Sequence, residues 1–312
     1  MSNLNFFKGE FAKVLLTTSI NEFWFYFTKR KNGGNCKYCG VNYNYFVKLK
    51  LRPDFDIKIL PYNIGIKFKI RKFGFCLNCG LSQSFNNLTK QELLEYVRII
   101  ADKDLTVSEE VFHSWPIPQE FIEKQNSNIF KKRSTKLINA LKELNYIPKE
   151  SLFLRPVFGY LYDVINENFP INSFALEISS RAKRFCMENF PNLQFLDGNL
   201  HGYFSQVNDK KFDSIFCFHS LIHSINFIND LLYLKSILQD DGFIVFSQEV
   251  ISKPYNPFHT VYTTDNILER ILKEHFNNVY IITDCEENGV NVSCEKVSDS
   301  KTVCDFIVSS PK

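Results

Sequence analysis

Ser151-Leu152-Phe153-Leu154-Arg155-Pro156-Val157-Phe158-Gly159-Tyr160, followed after a helical interval by Phe174-Ala175-Leu176-Glu177-Ile178, is the stretch that decides the fold. Leu152–Leu154 is a short apolar strand, Pro156 and Gly159 mark a turn, Tyr160 to Asn168 reads as helix, and Phe174–Ile178 reads as a second strand. The alternation continues with a helix from Ser180 to Asn189, strands at Leu193–Leu196 and Phe212–Phe218, a helix from Phe227 to Leu238 and a fifth strand at Gly242–Phe246. Strands separated by helices specify an α/β domain with a mostly parallel sheet and helices on both faces. In that architecture ligands sit beyond the carboxyl ends of the strands. The block from Thr283 to Lys312 is expected to add the last two, antiparallel, strands.

Upstream the pattern changes. A helix is expected from Ile129 to Leu144, with Leu137, Ile138, Leu141 and Leu144 on its apolar face. Residues 101–128, with Ser114-Trp115-Pro116-Ile117-Pro118, read as a connector. Thr89 and Glu92 have capping-box spacing, which predicts a helix running to about residue 100. Between Tyr43 and Phe75 the residues alternate as strands do, at Phe46–Lys50 and again at Ile64–Ile70. Two matching knuckles flank that ribbon, Cys36-Lys37-Tyr38-Cys39-Gly40 and Cys76-Leu77-Asn78-Cys79-Gly80. Each CxxCG brings two thiolates to one tetrahedral ion, so Cys36, Cys39, Cys76 and Cys79 are the expected ligands of a closed, structural Zn²⁺ site. Buried free cysteines or a redox pair are the alternatives.

The chain has 312 residues, enough for two domains, and nine cysteines. Cys186, Cys217, Cys285, Cys294 and Cys304 have no framework spacing, which fits a reducing compartment. The apolar stretch Phe11 to Phe27 is interrupted by Lys13, Asn21 and Glu22, so no membrane span is expected there. Without a signal-peptide pattern, the protein is expected to be soluble and cytoplasmic. Residues 1–100 carry 16 Lys and Arg against 6 Asp and Glu, whereas the remainder carries 21 against 28. A basic amino-terminal region can dock on its acidic neighbour, which is the simplest reading, or face RNA or a phosphorylated substrate. Its basic residues alternate along strands as a solvated face would, so a nucleic-acid partner is not expected.

Phe212-Asp213-Ser214-Ile215-Phe216-Cys217-Phe218-His219-Ser220-Leu221-Ile222-His223, then Leu231 through Leu238-Gln239-Asp240-Asp241-Gly242 to Phe243-Ile244-Val245-Phe246, resembles the class I S-adenosylmethionine-dependent methyltransferases. The resemblance covers about 150–280 and implies a Rossmann-like methyltransferase domain over 149–312, a helical connector over 101–148 and a β-rich zinc-ribbon module over 1–100. Pro257-Phe258-His259-Thr260-Val261-Tyr262-Thr263 is similar to a segment of sugar and small-molecule methyltransferases. Joined to a Cys₄ module, that segment is similar to the zinc-binding methyltransferases of bacterial sugar metabolism.

The resemblance also implies site residues. Glu177, 18 residues after Gly159, takes the position of the carboxylate that accepts both ribose hydroxyls of the cofactor; a solvated strand-end acid is the alternative. Asp197-Gly198-Asn199 stands where the adenine amino group is held, with Asp197 and Asn199 as the candidates and a plain turn as the alternative. Arg155, Gly159 and Phe218 complete the cofactor set. The glycine loop departs from the family pattern. Arg155 occupies the place of an acid, and Val157 and Leu161 occupy places of glycine. Arg155 can instead pair with the cofactor's carboxylate. Histidine is the natural base near neutral pH, so His219, His223 and His259 are the catalytic candidates, with Tyr255 and Tyr262 beside them. For each histidine a structural or surface role is the alternative.

The implied function is methylation of a small metabolite, with a nucleotide-linked sugar as the narrower expectation. An inactive methyltransferase-like scaffold is the alternative, and an RNA-modifying methyltransferase is the third.

Overall fold

The computed structural model describes residues 35–36, 38–41, 45–50, 70–76, 78–84, 128–156, 158–177, 179–196, 210–218, 220–221, 224, 226–250, 261–262, 265–282, 295–298 and 301–310. Twelve strands and five helices lie within them: β1 (Tyr45–Lys50), β2 (Ile70–Phe75), β3 (Ser82–Ser84), α1 (Asn128–Glu143), β4 (Glu150–Leu154), α2 (Tyr160–Asn168), β5 (Asn172–Leu176), α3 (Ser180–Asn189), β6 (Leu193–Phe195), β7 (Phe212–Cys217), α4 (Phe227–Ser236), β8 (Leu238–Val250), β9 (Val261–Tyr262), α5 (Asp265–Lys273), β10 (Asn278–Ile282), β11 (Glu295–Ser298) and β12 (Lys301–Ser309).

The large sheet runs β10-β12-β8-β7-β4-β5-β6, with β11 added on β12. Strands β6, β5, β4, β7 and β8 are mutually parallel, while β12 is antiparallel to both β8 and β10. Parallel strands covered on both faces need continuous rather than alternating apolar sequence. Leu152, Phe153 and Leu154 of β4, and Ile215, Phe216 and Cys217 of β7, are accordingly all buried. Odd and even residues serve opposite faces. Phe153 and Phe216 stack at 4.9 Å on the face covered by α1, α2 and α3, and Phe246 and Phe306 stack at 5.2 Å on the face covered by α4 and α5. Ser179 caps α3 by accepting the Ala182 N–H at 3.1 Å, and Asn226 caps α4 by accepting that of Asn229.

Some boundaries differ from the expectation. Strand β8 begins at Leu238 and runs to Val250, four residues earlier and four residues later than the expected Gly242–Phe246, with an irregular start over Leu238–Gly242. It joins the ladder because Phe212 pairs with Leu238 before the register shifts to Ser214 with Phe243. Past Phe246 it continues because β12 supplies partners from Asp305 to Thr302. Strand β5 ends at Leu176, which leaves Glu177 as the first residue beyond it. Helix α5 and strand β10 had no counterpart in the sequence reading. The helix expected after Thr89, the connector up to residue 127 and the strand expected at Ile64–Ile70, apart from Ile70 itself, lie outside the described residues.

A second sheet has the order β1-β2-β3-β9, all antiparallel. Its fourth strand, Val261–Tyr262, comes from the far end of the chain and pairs with Ser82 and Gln83. Among the described residues, no helix is long and apolar enough to cross a membrane.

Phe216 is 1% exposed at the centre of the α1-α2-α3 face. Truncation to Ala should cost about 3–5 kcal/mol, read as a lowered urea midpoint at unchanged slope.

Candidate functional site

Chain order reverses at β4. From β4 the chain builds outward through β5 to β6, then returns to the other side of β4 with β7 and β8. The loops leaving β4 and β7 therefore diverge and open a crevice at their carboxyl ends. Ser220 closes its floor: its hydroxyl lies 2.9 Å from the Leu154 carbonyl and 3.1 Å from the Phe218 carbonyl, joining the ends of the two strands.

Arg155 is the first residue past β4. Its N–H donates to the Leu176 carbonyl at 2.8 Å, it has φ 52°, and it is buried. A left-handed arginine costs about 1 kcal/mol or more, so the turn is held there by its surroundings. Gly159 closes the turn by donating its N–H to the Pro156 carbonyl at 2.8 Å and stands at the N-cap of α2 with φ 77°. A Cβ at Gly159 would lie 2.2 Å from the Phe190 ring. The glycine is thus needed twice, for its backbone and for the ring of α3 seated on it. Phe158 packs edge-on against Phe185 at 5.3 Å, and Tyr162 against Phe190 at 5.3 Å. Aromatic side chains hold this loop in place.

One strand over, Glu177 is buried, and its Oε1 accepts the Ser179 N–H at 3.0 Å. A carboxylate offers roughly four acceptor positions. Burial, with the Glu177 carboxylate adding to it, pushes the Cys186 thiol up to about 12.

Phe218 follows β7, and the Arg133 guanidinium lies 5.2 Å from its ring centroid. Arg133 comes from α1 and forks onto Asp305 of β12, with Nε to Oδ2 at 2.6 Å and Nη2 to Oδ1; Nη2 also donates to Ser247 of β8 at 2.7 Å. Ser247 in turn donates to Asp305 at 2.7 Å. Next to Arg133, Ser134 bonds the Tyr160 hydroxyl at 2.8 Å, which ties α1 to α2. Arg133, Ser220, Ser247 and Asp305 were not anticipated. Their signal is absent from sequence because it consists in four segments meeting.

The fold brings Arg155, Gly159, Glu177 and Phe218 to one edge of the sheet. Asp197, Asn199, His219, His223, His259 and Tyr255 lie outside the described residues, as does the side chain of Tyr262.

The four knuckle cysteines form a second centre. Their Sγ atoms all lie within 4.8 Å of one another, with Cys36 to Cys79 at 3.6 Å and Cys39 to Cys76 at 3.4 Å. Disulfide sulfurs stand about 2.05 Å apart, whereas sulfurs at about 2.3 Å from a tetrahedral Zn²⁺ stand roughly 3.8 Å apart. The two knuckles have the same backbone: Gly40 and Gly80 donate to the Cys36 and Cys76 carbonyls at 2.9 and 2.7 Å, with φ of 72° and 81°. Four thiol donors at these separations fit a tetrahedral zinc ion.

Neither a protein-family model nor a curated protein sequence matches the chain. Among solved structures it is similar to a S-adenosylmethionine-dependent methyltransferase from Clostridium acetobutylicum, at 15% identity and TM-score 0.45, over 62% of this chain and 99% of that one. It is also similar to the plantazolicin methyltransferase BamL, solved with a triazolic desmethylPZN analog and SAH, at 16% identity and TM-score 0.49, over 70% and 98%. A third is the N-methyltransferase NodS from Bradyrhizobium japonicum, at 11% identity and TM-score 0.40, over 60% and 99%.

Gly159→Ala should destabilise the chain by about 2–4 kcal/mol, combining a left-handed alanine with a methyl group driven into Phe190; thermal unfolding measures it. The Cys217 thiol is also pushed up by burial. A raised thiol stays protonated and unreactive. Iodoacetamide at pH 8 should therefore leave Cys186 and Cys217 unmodified in native protein and label both after denaturation, as read by peptide mass.

Proposed function

We propose that the chain is an S-adenosylmethionine-dependent methyltransferase acting on a small metabolite, a nucleotide-linked sugar being the class to which its sequence resemblance points. The observation that carries this is the pairing of two buried charged side chains at neighbouring strand ends: Arg155 just past β4 and Glu177 just past β5, beside the crevice where chain order reverses. A cofactor with a cationic sulfonium, an amino-acid carboxylate and a ribose diol matches that set. Glu177 accepts the two ribose hydroxyls, as acids at the second strand of dinucleotide folds do. Arg155 pairs with the carboxylate at the amino end of α2. Phe218 presents an apolar face beyond β7, and Asp197 and Asn199 are assigned to the adenine.

The cofactor, when bound, supplies a methyl group already activated for transfer. What remains for the protein is alignment of the acceptor and removal of its proton. His219, His223 and His259 are assigned to that proton, since imidazole is neutral and basic near pH 7. Zinc at Cys36, Cys39, Cys76 and Cys79 is structural, because four protein ligands leave no open position. We place the enzyme in the cytoplasm.

Calorimetric titration of zinc-loaded protein with S-adenosylhomocysteine tests this reading. A dissociation constant on the order of micromolar is expected, with Glu177→Ala weakening it by at least about tenfold through two lost charge-assisted bonds. Absence of binding by the folded, zinc-loaded chain would overturn the assignment.

A further inference from the structure

The knuckles are not free of the large domain. Cys36, Cys76 and Cys79 are 2%, 0% and 4% exposed, and with Leu81 they belong to the same apolar cluster as Ile267, Leu268, Ile271 and Leu272 of α5. Burial to that degree cannot come from the knuckles alone. Among the described residues, those of the large domain pack against them.

The contacts fall on one helix and the turn that ends it. Arg270 donates from its guanidinium to the carbonyl of Cys79, the last thiol ligand of the second knuckle. From the first knuckle, the Tyr38 hydroxyl donates to the Glu274 carboxylate, and the Tyr38 ring meets His275 edge-on at 5.9 Å and 79°. The far end of this turn is fastened to α4, where Lys235 donates to the His275 carbonyl and lies 5.1 Å from the centre of the Phe276 ring. Strand β9, which ends three residues before α5 begins, pairs with Ser82 and Gln83 immediately after the second knuckle.

Charge explains why an arginine is placed there. Four thiolates around a divalent cation leave a net charge of −2, and a buried dianion is stable only with donors and a counter-charge around it. Groups just outside a metal's ligands orient those ligands and tune affinity. A guanidinium on the Cys79 backbone supplies both a fixed donor and a positive charge at a buried edge of the cluster.

From these contacts we infer that α5, through Arg270, is the counter-charge and lock of the tetrathiolate centre, so that metal binding and the order of α5 form one thermodynamic unit. This rests on the reading of the four cysteines as a zinc site and is independent of the methyltransferase assignment. Removing the metal then costs the large domain its α5 face, and weakening α5 costs the knuckles their metal. Among the described residues, the cation in this contact comes from α5, and the first knuckle contributes a phenol.

The test uses full-length protein, with Co²⁺ as a spectroscopic probe and Zn²⁺ competing for it. Arg270→Gln is expected to lower metal affinity by about 10–100-fold, and Tyr38→Phe by a few-fold. Lys273→Gln leaves it unchanged, because Lys273 pairs with Glu269 on the exposed side of the same helix. In wild-type protein, chelation should speed amide exchange over Ile267–Leu272 together with the knuckles, while Leu137–Leu141 of α1, across the sheet, stays protected. If Arg270→Gln does not fold, Tyr38→Phe and the wild-type exchange still decide. Tight metal binding combined with unchanged α5 exchange after chelation would overturn the inference, as would equal affinity for Arg270→Gln and Lys273→Gln. A wild-type chain that binds no metal at all would instead remove the zinc reading on which it stands.

Discussion

Strand β4 is hydrogen-bonded in parallel along both edges, to β5 on one side and β7 on the other. A strand in that position cannot contribute to a solvated face or an open edge, so its sequence must be apolar throughout and its backbone fully paired. Everything else in the large sheet follows from this. Both flanking strands inherit their direction from β4, the connecting helices are forced onto the two faces, and the loops at its carboxyl end are driven apart. The crevice exists because two chains leave one strand end in opposite directions.

At the amino end of the same strand the polar groups are purely structural. Asp213 accepts the N–H groups of Lys149 and Glu150, and the Ser151 and Ser214 hydroxyls meet at 2.7 Å. These contacts register β4 against β7 without offering anything to a ligand. At the carboxyl end the side chains are of another kind: a left-handed buried arginine, a buried carboxylate and a shared serine hydroxyl. Buried charge is costly unless it is satisfied, and its concentration at one end of the sheet separates the chemical end from the structural one.

Much of this was legible in the sequence. The run Leu152–Leu154 and the turn residues Pro156 and Gly159 follow from local rules of burial and backbone freedom, the two knuckles from ligand spacing, and the acid at Glu177 from the family resemblance. The position of Arg155 in the loop was visible, but its left-handed backbone was not, because arginine carries no propensity for it. Gly159 was read as a turn residue in the cofactor set, but the side chain pressed against it, Phe190, about thirty residues away, had no signal in the sequence. The Arg133 fork onto Ser247 and Asp305 has no sequence signature at all. Strand β8 was read as too short because its length is set by β12, a partner more than fifty residues later.

The separation between the knuckles and α5 has a consequence for biosynthesis. Tyr38 and Glu274 are 236 positions apart, and Cys79 and Arg270 are 191 apart. A ribosome adding about 5–20 residues per second takes roughly ten to forty seconds to travel from the second knuckle to that arginine. For most of that interval all four thiols are outside the exit tunnel while the helix that covers them has not been made. The nascent chain must therefore carry a half-finished centre with one side open to solvent, to oxidants and to competing thiophilic ions.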